Sequence, residues 1–133
     1  MKYLEKIITK ELLRKVLPKE TENLSEDFSF YIDEDNIVFS DDGEMQFEYC
    51  IYKFAFKCQE SAIVKGFDIC PKMDSKGFYR LLTDDNIIGF KVEDKFIFSE
   101  SISPCSSRVE AIFKAYEWIL KEIKENNEKF KYQ

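Results

Sequence analysis

Apolar residues near the start of the chain recur at three- and four-residue steps. Leu4, Ile7, Ile8, Leu12, Leu13 and Val16 form one stripe, which predicts an amphipathic helix over 2–17 that Pro18 ends. Residues 19–27 (KETENLSED) are polar and acidic, the pattern of a linker or exposed loop that lets this helix sit apart from the rest. Phe28, Phe30 and Ile32 then alternate with Ser29 and Tyr31, which predicts a half-buried strand. Asp33-Glu34-Asp35-Asn36 has turn chemistry, and Ile37-Val38-Phe39 returns as a second strand, giving a hairpin with an acidic tip. Asp41 and Glu44 have capping-box spacing and predict a helix over 44–65, stopped by Gly66. Its Phe47, Cys50, Ile51, Phe54, Ala55, Cys58 and Ala62 share a face, while Met45, Tyr49, Tyr52, Phe56 and Ile63 fall on others. A helix apolar nearly all round is expected to be central and well covered.

Three or four short strands follow in the reading: Phe67–Cys70, Gly77–Leu82, Ile87–Val92 and Lys95–Phe98. A loop over Lys72–Gly77 and turns at Thr83–Asn86 and Glu93-Asp94 separate them, which suggests an antiparallel meander. After a loop at Ser101–Pro104, Ser107 and Glu110 repeat the capping-box spacing. Val109, Ile112, Phe113, Tyr116, Ile119, Leu120 and Ile123 then make a helical stripe, and the charged tail Lys124–Gln133 is expected to fray. The predicted order is α-β-β-α-β-β-β-α. The fold class is α+β: an antiparallel sheet carrying two long helices, plus the N-terminal amphipathic helix. At 133 residues one domain is the simplest reading, with 1–18 as its semi-independent part.

Composition adds the means to build a core: 44% hydrophobic residues and 16% aromatic, with 13 Phe. No apolar run has the roughly 18–20 residues of a membrane span, and MKYLEKIITKELLRKVLPKE lacks the apolar stretch of a signal peptide. The expected location is the cytoplasm. None of Cys50, Cys58, Cys70 and Cys105 forms a C-x-x-C pair. Cys50 and Cys58, eight residues apart in the predicted helix, would sit about 12 Å apart along its axis, too far for a disulfide. Both are expected to be buried and reduced. The chain has no histidine, which removes Ser-His-Asp and Cys-His catalysis and nearly all catalytic zinc sites.

Charge changes the picture most. Between Glu20 and Tyr52 there are eleven acidic residues and no Lys or Arg. Net charge is −6, so the remainder of the chain is net positive. A concentrated field of one sign steers a partner of the other. Asp33, Glu34, Asp35, Asp41, Asp42 and Glu44 are the candidate contact residues, with Tyr49 and Tyr52 as aromatic neighbours of the kind that anchor interfaces. Tyr79 and Trp118 are candidates for the same patch. The Asp33-x-Asp35 alternation resembles the start of a calcium loop, but Ile37 takes the third ligand position and the glycine is missing. No metal and no cofactor is assigned. Cys105, in SPCSSR ahead of a helix, is the candidate reactive thiol, without a histidine to serve as base. No nucleotide-binding glycine motif occurs, and the overall negative charge opposes direct nucleic-acid binding.

The stretch SISPCSSRVEAIFKAYEWILKE, with Ala111-Ile112, Ala115 and Trp118 at packing positions, resembles the ending of small phage proteins of the helix-on-sheet "phage ABA sandwich" type. The resemblance spans roughly 47–122. It implies an origin on a mobile element and a class of small binders or inhibitors, and it identifies no catalytic residues. Together these features predict a non-enzymatic inhibitor that occupies a basic surface of a host protein, an anti-CRISPR-like inhibitor of a nucleic-acid-guided nuclease being the most natural case. The alternatives are an immunity or antitoxin-like protein neutralising a basic toxin, and a small enzyme using Cys105 or a carboxylate pair.

Overall fold

The computed structural model describes residues 1–65, 67–69, 72–73, 79–80, 89–92, 95–98 and 107–131. Helices accompany antiparallel strands, so the fold class is α+β. The chain divides into two compact units, Met1–Lys57 and Cys58–Gln133, with the division inside one helix.

The N-terminal stripe is real but not one helix. A 3-10 turn over Lys2–Lys6 gives way to α1 (Lys10–Val16) and then α2 (Pro18–Thr21). The β-branched run Ile7-Ile8-Thr9 disfavours a continuous helix, and Thr9 caps a new one by accepting the Leu12 N–H at 3.1 Å. α1 ends at Val16, just ahead of Pro18 as expected, with Leu17 held out of helical geometry. Pro18 then opens α2, where a missing N–H costs nothing. Leu4, Ile8, Leu12, Leu13 and Val16 are buried.

The predicted linker is tied down instead. Thr21 is buried and its Oγ1 donates to the Leu17 carbonyl at 2.7 Å. Arg14 donates to the carbonyls of Thr21 at 3.3 Å and Ser25 at 2.7 Å, with its guanidinium 4.8 Å from the Phe28 ring centre. A long flexible side chain thus fixes a segment whose composition alone reads as loose.

Three strands follow: β1 (Ser29–Asp33), β2 (Asn36–Asp41) and β3 (Glu44–Cys50), in the antiparallel order β1-β2-β3. The predicted first hairpin is present, with Asp33 opposite Asn36 and Glu34 at φ 54°. The predicted helix start at Asp41 is not. Asp42 (φ 54°) and Gly43 (φ 79°) make a two-residue turn into β3, the conformation that Asp-Gly favours. Met45, Phe47 and Tyr49 alternate with Glu44, Gln46 and Glu48, a strand pattern that the apparent capping box masks.

Register sorts the side chains. The rows Phe30–Phe39–Phe47 and Ile32–Ile37–Tyr49 share one face, and Tyr31–Val38–Glu48 lies on the other. Phe39 stacks on Phe47 with ring centres 4.4 Å apart and on Phe28 at 6.0 Å. A bulge at Phe39/Ser40 shifts the β2–β3 register.

The long helix is therefore shorter than predicted: α3 runs Ile51–Val64. Ile51, Phe54, Ala55, Cys58 and Ala62 are buried as expected. The helix is not covered all round, for Tyr52, Phe56 and Ile63 are 53–62% exposed along one side. The Gly66 stop lies outside the described residues.

In the second unit the strands do not form a simple meander. β4 (Phe67–Asp68) pairs with β7 (Gly89–Val92), which pairs with β8 (Lys95–Phe98). β5 (Lys72–Met73), predicted as loop, pairs separately with β6 (Tyr79–Arg80). Alternation identifies a strand but does not choose its neighbour. The turns at 83–86 and 93–94, the loop at 101–104 and the rest of the Gly77–Leu82 strand lie outside the described residues.

The last helix, α4, spans Arg108–Lys131 and continues through most of the tail predicted to fray. Ser107 caps it as expected, its Oγ accepting the Glu110 N–H at 3.2 Å. Val109, Ile112, Phe113, Tyr116 and Ile119 are buried, and Ala111 and Ala115 widen the stripe. Ser61 and Tyr116 share a 2.6 Å hydrogen bond from α3 to α4, and Trp118 meets Phe67 edge-on at 6.4 Å.

Candidate functional site: an acidic three-stranded sheet

The candidate carboxylates sit on the two turns of the first unit. Asp33, Glu34 and Asp35 form the β1–β2 tip and are exposed. Asp41, Asp42 and Glu44 form the β2–β3 tip. The two tips stand at opposite ends of β2, so the acids are not gathered into one cluster. Six residues of strand separate them by roughly 16–20 Å, about two Debye lengths at physiological salt. Sequence proximity misleads here because a hairpin sends successive turns to opposite ends of a sheet.

Asp41 is committed to the fold. Its two oxygens accept the Ser25 Oγ–H at 2.6 Å and the Ser25 N–H at 2.8 Å. These bonds, the hydroxyl's first, hold its carboxyl below its ordinary value. Its charge remains at the tip, but its oxygens are occupied. By contrast, among the described residues Asp33, Glu34, Asp35, Asp42, Glu44 and Glu48 have no ion-pair partner. Glu20, at the head of the acidic run, reaches Lys57 at 3.9 Å.

The aromatic neighbours separate. Tyr52 is exposed on α3, but Tyr49 points inward from β3 and its buried hydroxyl has no hydrogen-bond partner among the described residues. Burial raises its pKa, and nearby Lys57 opposes the rise. Lys53 lies 5.5 Å over the Tyr49 ring. Trp118 is half-buried against Phe67, and the Tyr79 side chain lies outside the described residues.

The thiols also separate. Cys50 ends β3 and is half-buried, whereas Cys58 is buried in α3; both are free. Burial first, then Glu117, pushes the Cys58 thiol far up, so it carries no thiolate at neutral pH. Cys70 and Cys105 lie outside the described residues.

Among the described residues, no group of three or more Cys, Asp or Glu side chains is placed to share a metal ion. No described helix is long and apolar enough to cross a membrane. Two positions emerge only from the register. Glu5 accepts the Ile32 N–H at the β1 edge, and Glu48 stands on the opposite edge strand. The alternation in 44–50 was the available signal for the second. Comparison with protein-family models, curated proteins and solved structures gives no match to this chain.

Proposed function

We propose that this chain is a non-enzymatic binding protein, borne by a phage or other mobile element, that inhibits a host protein in the cytoplasm by occupying a basic surface. The observation behind the reading is the set of exposed carboxylates on β3 and both sheet turns that have no ion-pair partner among the described residues. Carboxylates without internal partners keep their full field for an external one. A nucleic-acid-guided nuclease suits such a surface, because its strand-binding channels are lined with Lys and Arg that a carboxylate array meets with the sign of phosphate. The accompanying fold reading is a small helix-on-sheet domain in which the two long helices cover antiparallel strands. The absence of histidine favours binding over catalysis.

The test is binding to a purified guided nuclease as a function of salt. A 1:1 complex should form at low ionic strength, compete with nucleic acid, and weaken at least about tenfold as screening increases. Binding that ignores salt, or no competition with nucleic acid, would remove the proposal. Capture of a basic toxin in place of a nuclease would transfer the same surface to an immunity role.

A further inference from the structure

The three-stranded sheet has two edges, and the chain treats them differently. At β1 the Ile32 N–H is capped by a Glu5 carboxylate oxygen at 2.8 Å, and Lys2 lies 5.5 Å over the Tyr31 ring. The N-terminal turn therefore closes that edge. At the other edge β3 pairs with β2 alone among the described residues, and Glu44, Met45, Gln46 and Glu48 are exposed.

The ladder identifies which β3 backbone groups face outward. Ile51 N–H donates to the Asp35 carbonyl at 2.8 Å, outside the Asn36–Cys50 pair. That makes Asn36–Cys50 a non-hydrogen-bonded pair of the antiparallel ladder. By alternation Ile37–Tyr49 is hydrogen-bonded, and Val38–Glu48 is again a non-hydrogen-bonded pair. The N–H and C=O of Glu48 and the N–H of Cys50 thus point away from β2. Past the bulge, the two-residue turn makes Asp41–Glu44 a hydrogen-bonded pair, so Met45 also presents its backbone outward.

Charge selects the occupant. Two copies of β3 laid edge to edge would oppose Glu44 and Glu48 to their own kind, which disfavours self-pairing. A strand bearing Lys or Arg would meet these carboxylates with the opposite sign, Glu48 on the Val38 face and, past the bulge, Glu44 on the Phe39 face. Exposed Met45 would cover the aliphatic stems of such side chains. We propose that the outer edge of β3 is a strand-addition site for an extended basic segment of the partner protein. This rests on the reading above that the partner is basic, and it specifies how that partner is held.

The probe is an octapeptide alternating lysine with valine or threonine, compared with a twin of equal charge whose alternate backbone amides are N-methylated. The unmodified peptide should bind the full-length protein and protect the Glu48 and Cys50 amides from hydrogen exchange. N-methylation should weaken binding by about tenfold or more, because the ladder donors are gone. Equal binding of both peptides would overturn strand addition while leaving a basic partner in place. No binding of either at low salt would remove both readings. Peptide-free self-association that protects the same amides would assign the edge to a second copy and overturn the proposal.

Discussion

Asp41 differs from the acids around it because both its oxygens are held by Ser25. A carboxyl whose folded pKa is depressed contributes stability that is present above the unfolded value and lost as pH falls through the folded one. Glu5, held low by the Ile32 N–H and then Lys2, has the same sign. Acidification below the ordinary carboxylate range should therefore loosen the first unit. Asp41→Asn should lower the melting temperature at neutral pH, and its deficit against the parent should shrink toward pH 3. A deficit independent of pH would show that the charge of Asp41 is irrelevant to its role. None of this was legible in the sequence, where Asp41 reads as one acid of eleven and Ser25 lies sixteen residues away. Local pattern carries no information on such a pairing.

At the scale of elements, the Asp42-Gly43 turn decides whether 44–50 becomes strand or helix. No atom lies within 4 Å of a Cβ added at Gly43, so a side chain there meets open space and only backbone strain opposes it. Gly43→Ala should cost about 1–2 kcal/mol at φ 79°, and Gly43→Asn distinctly less, measured by denaturant midpoint. An alanine variant as stable as the parent would mean that the turn does not direct β3. The elements that were readable in advance are those with an unambiguous period: the β1–β2 hairpin, the buried face of α3 and the capped start of α4. Misreadings arose where two local signals conflicted. Asp41 and Glu44 had capping-box spacing around a dipeptide that also makes hairpins, and the tertiary ladder favoured the hairpin. The stripe over 2–17 identifies residues that are buried within the chain, but they do not lie on one helix, because Thr9 can cap as well as continue.

For the whole molecule, the separation of the two acidic tips makes the functional reading divisible. If a partner covers the sheet from one tip to the other, each tip contributes and the effects add, since sites this far apart couple weakly. If the partner lies along β3, the Asp42–Glu44 tip and Glu48 are near it, and the Asp33–Asp35 tip acts only through the long-range field. Two variants separate these cases: Asp33→Asn with Glu34→Gln and Asp35→Asn, and Asp42→Asn with Glu44→Gln and Glu48→Gln. All six side chains are exposed and have no ion-pair partner among the described residues, so both variants should fold like the parent, as circular dichroism would check. Truncating one partner of a desolvated interfacial charge pair costs about 2–5 kcal/mol and accelerates dissociation, whereas a peripheral charge mainly changes the association rate. The β3 variant should therefore lose affinity chiefly through faster dissociation. The β1–β2 tip variant should associate more slowly at low salt and approach the parent as salt rises. The reverse assignment of rates would place the contact at the Asp33–Asp35 tip. Parental kinetics in both variants would leave the acidic sheet as solvated surface and remove the support for the proposed function.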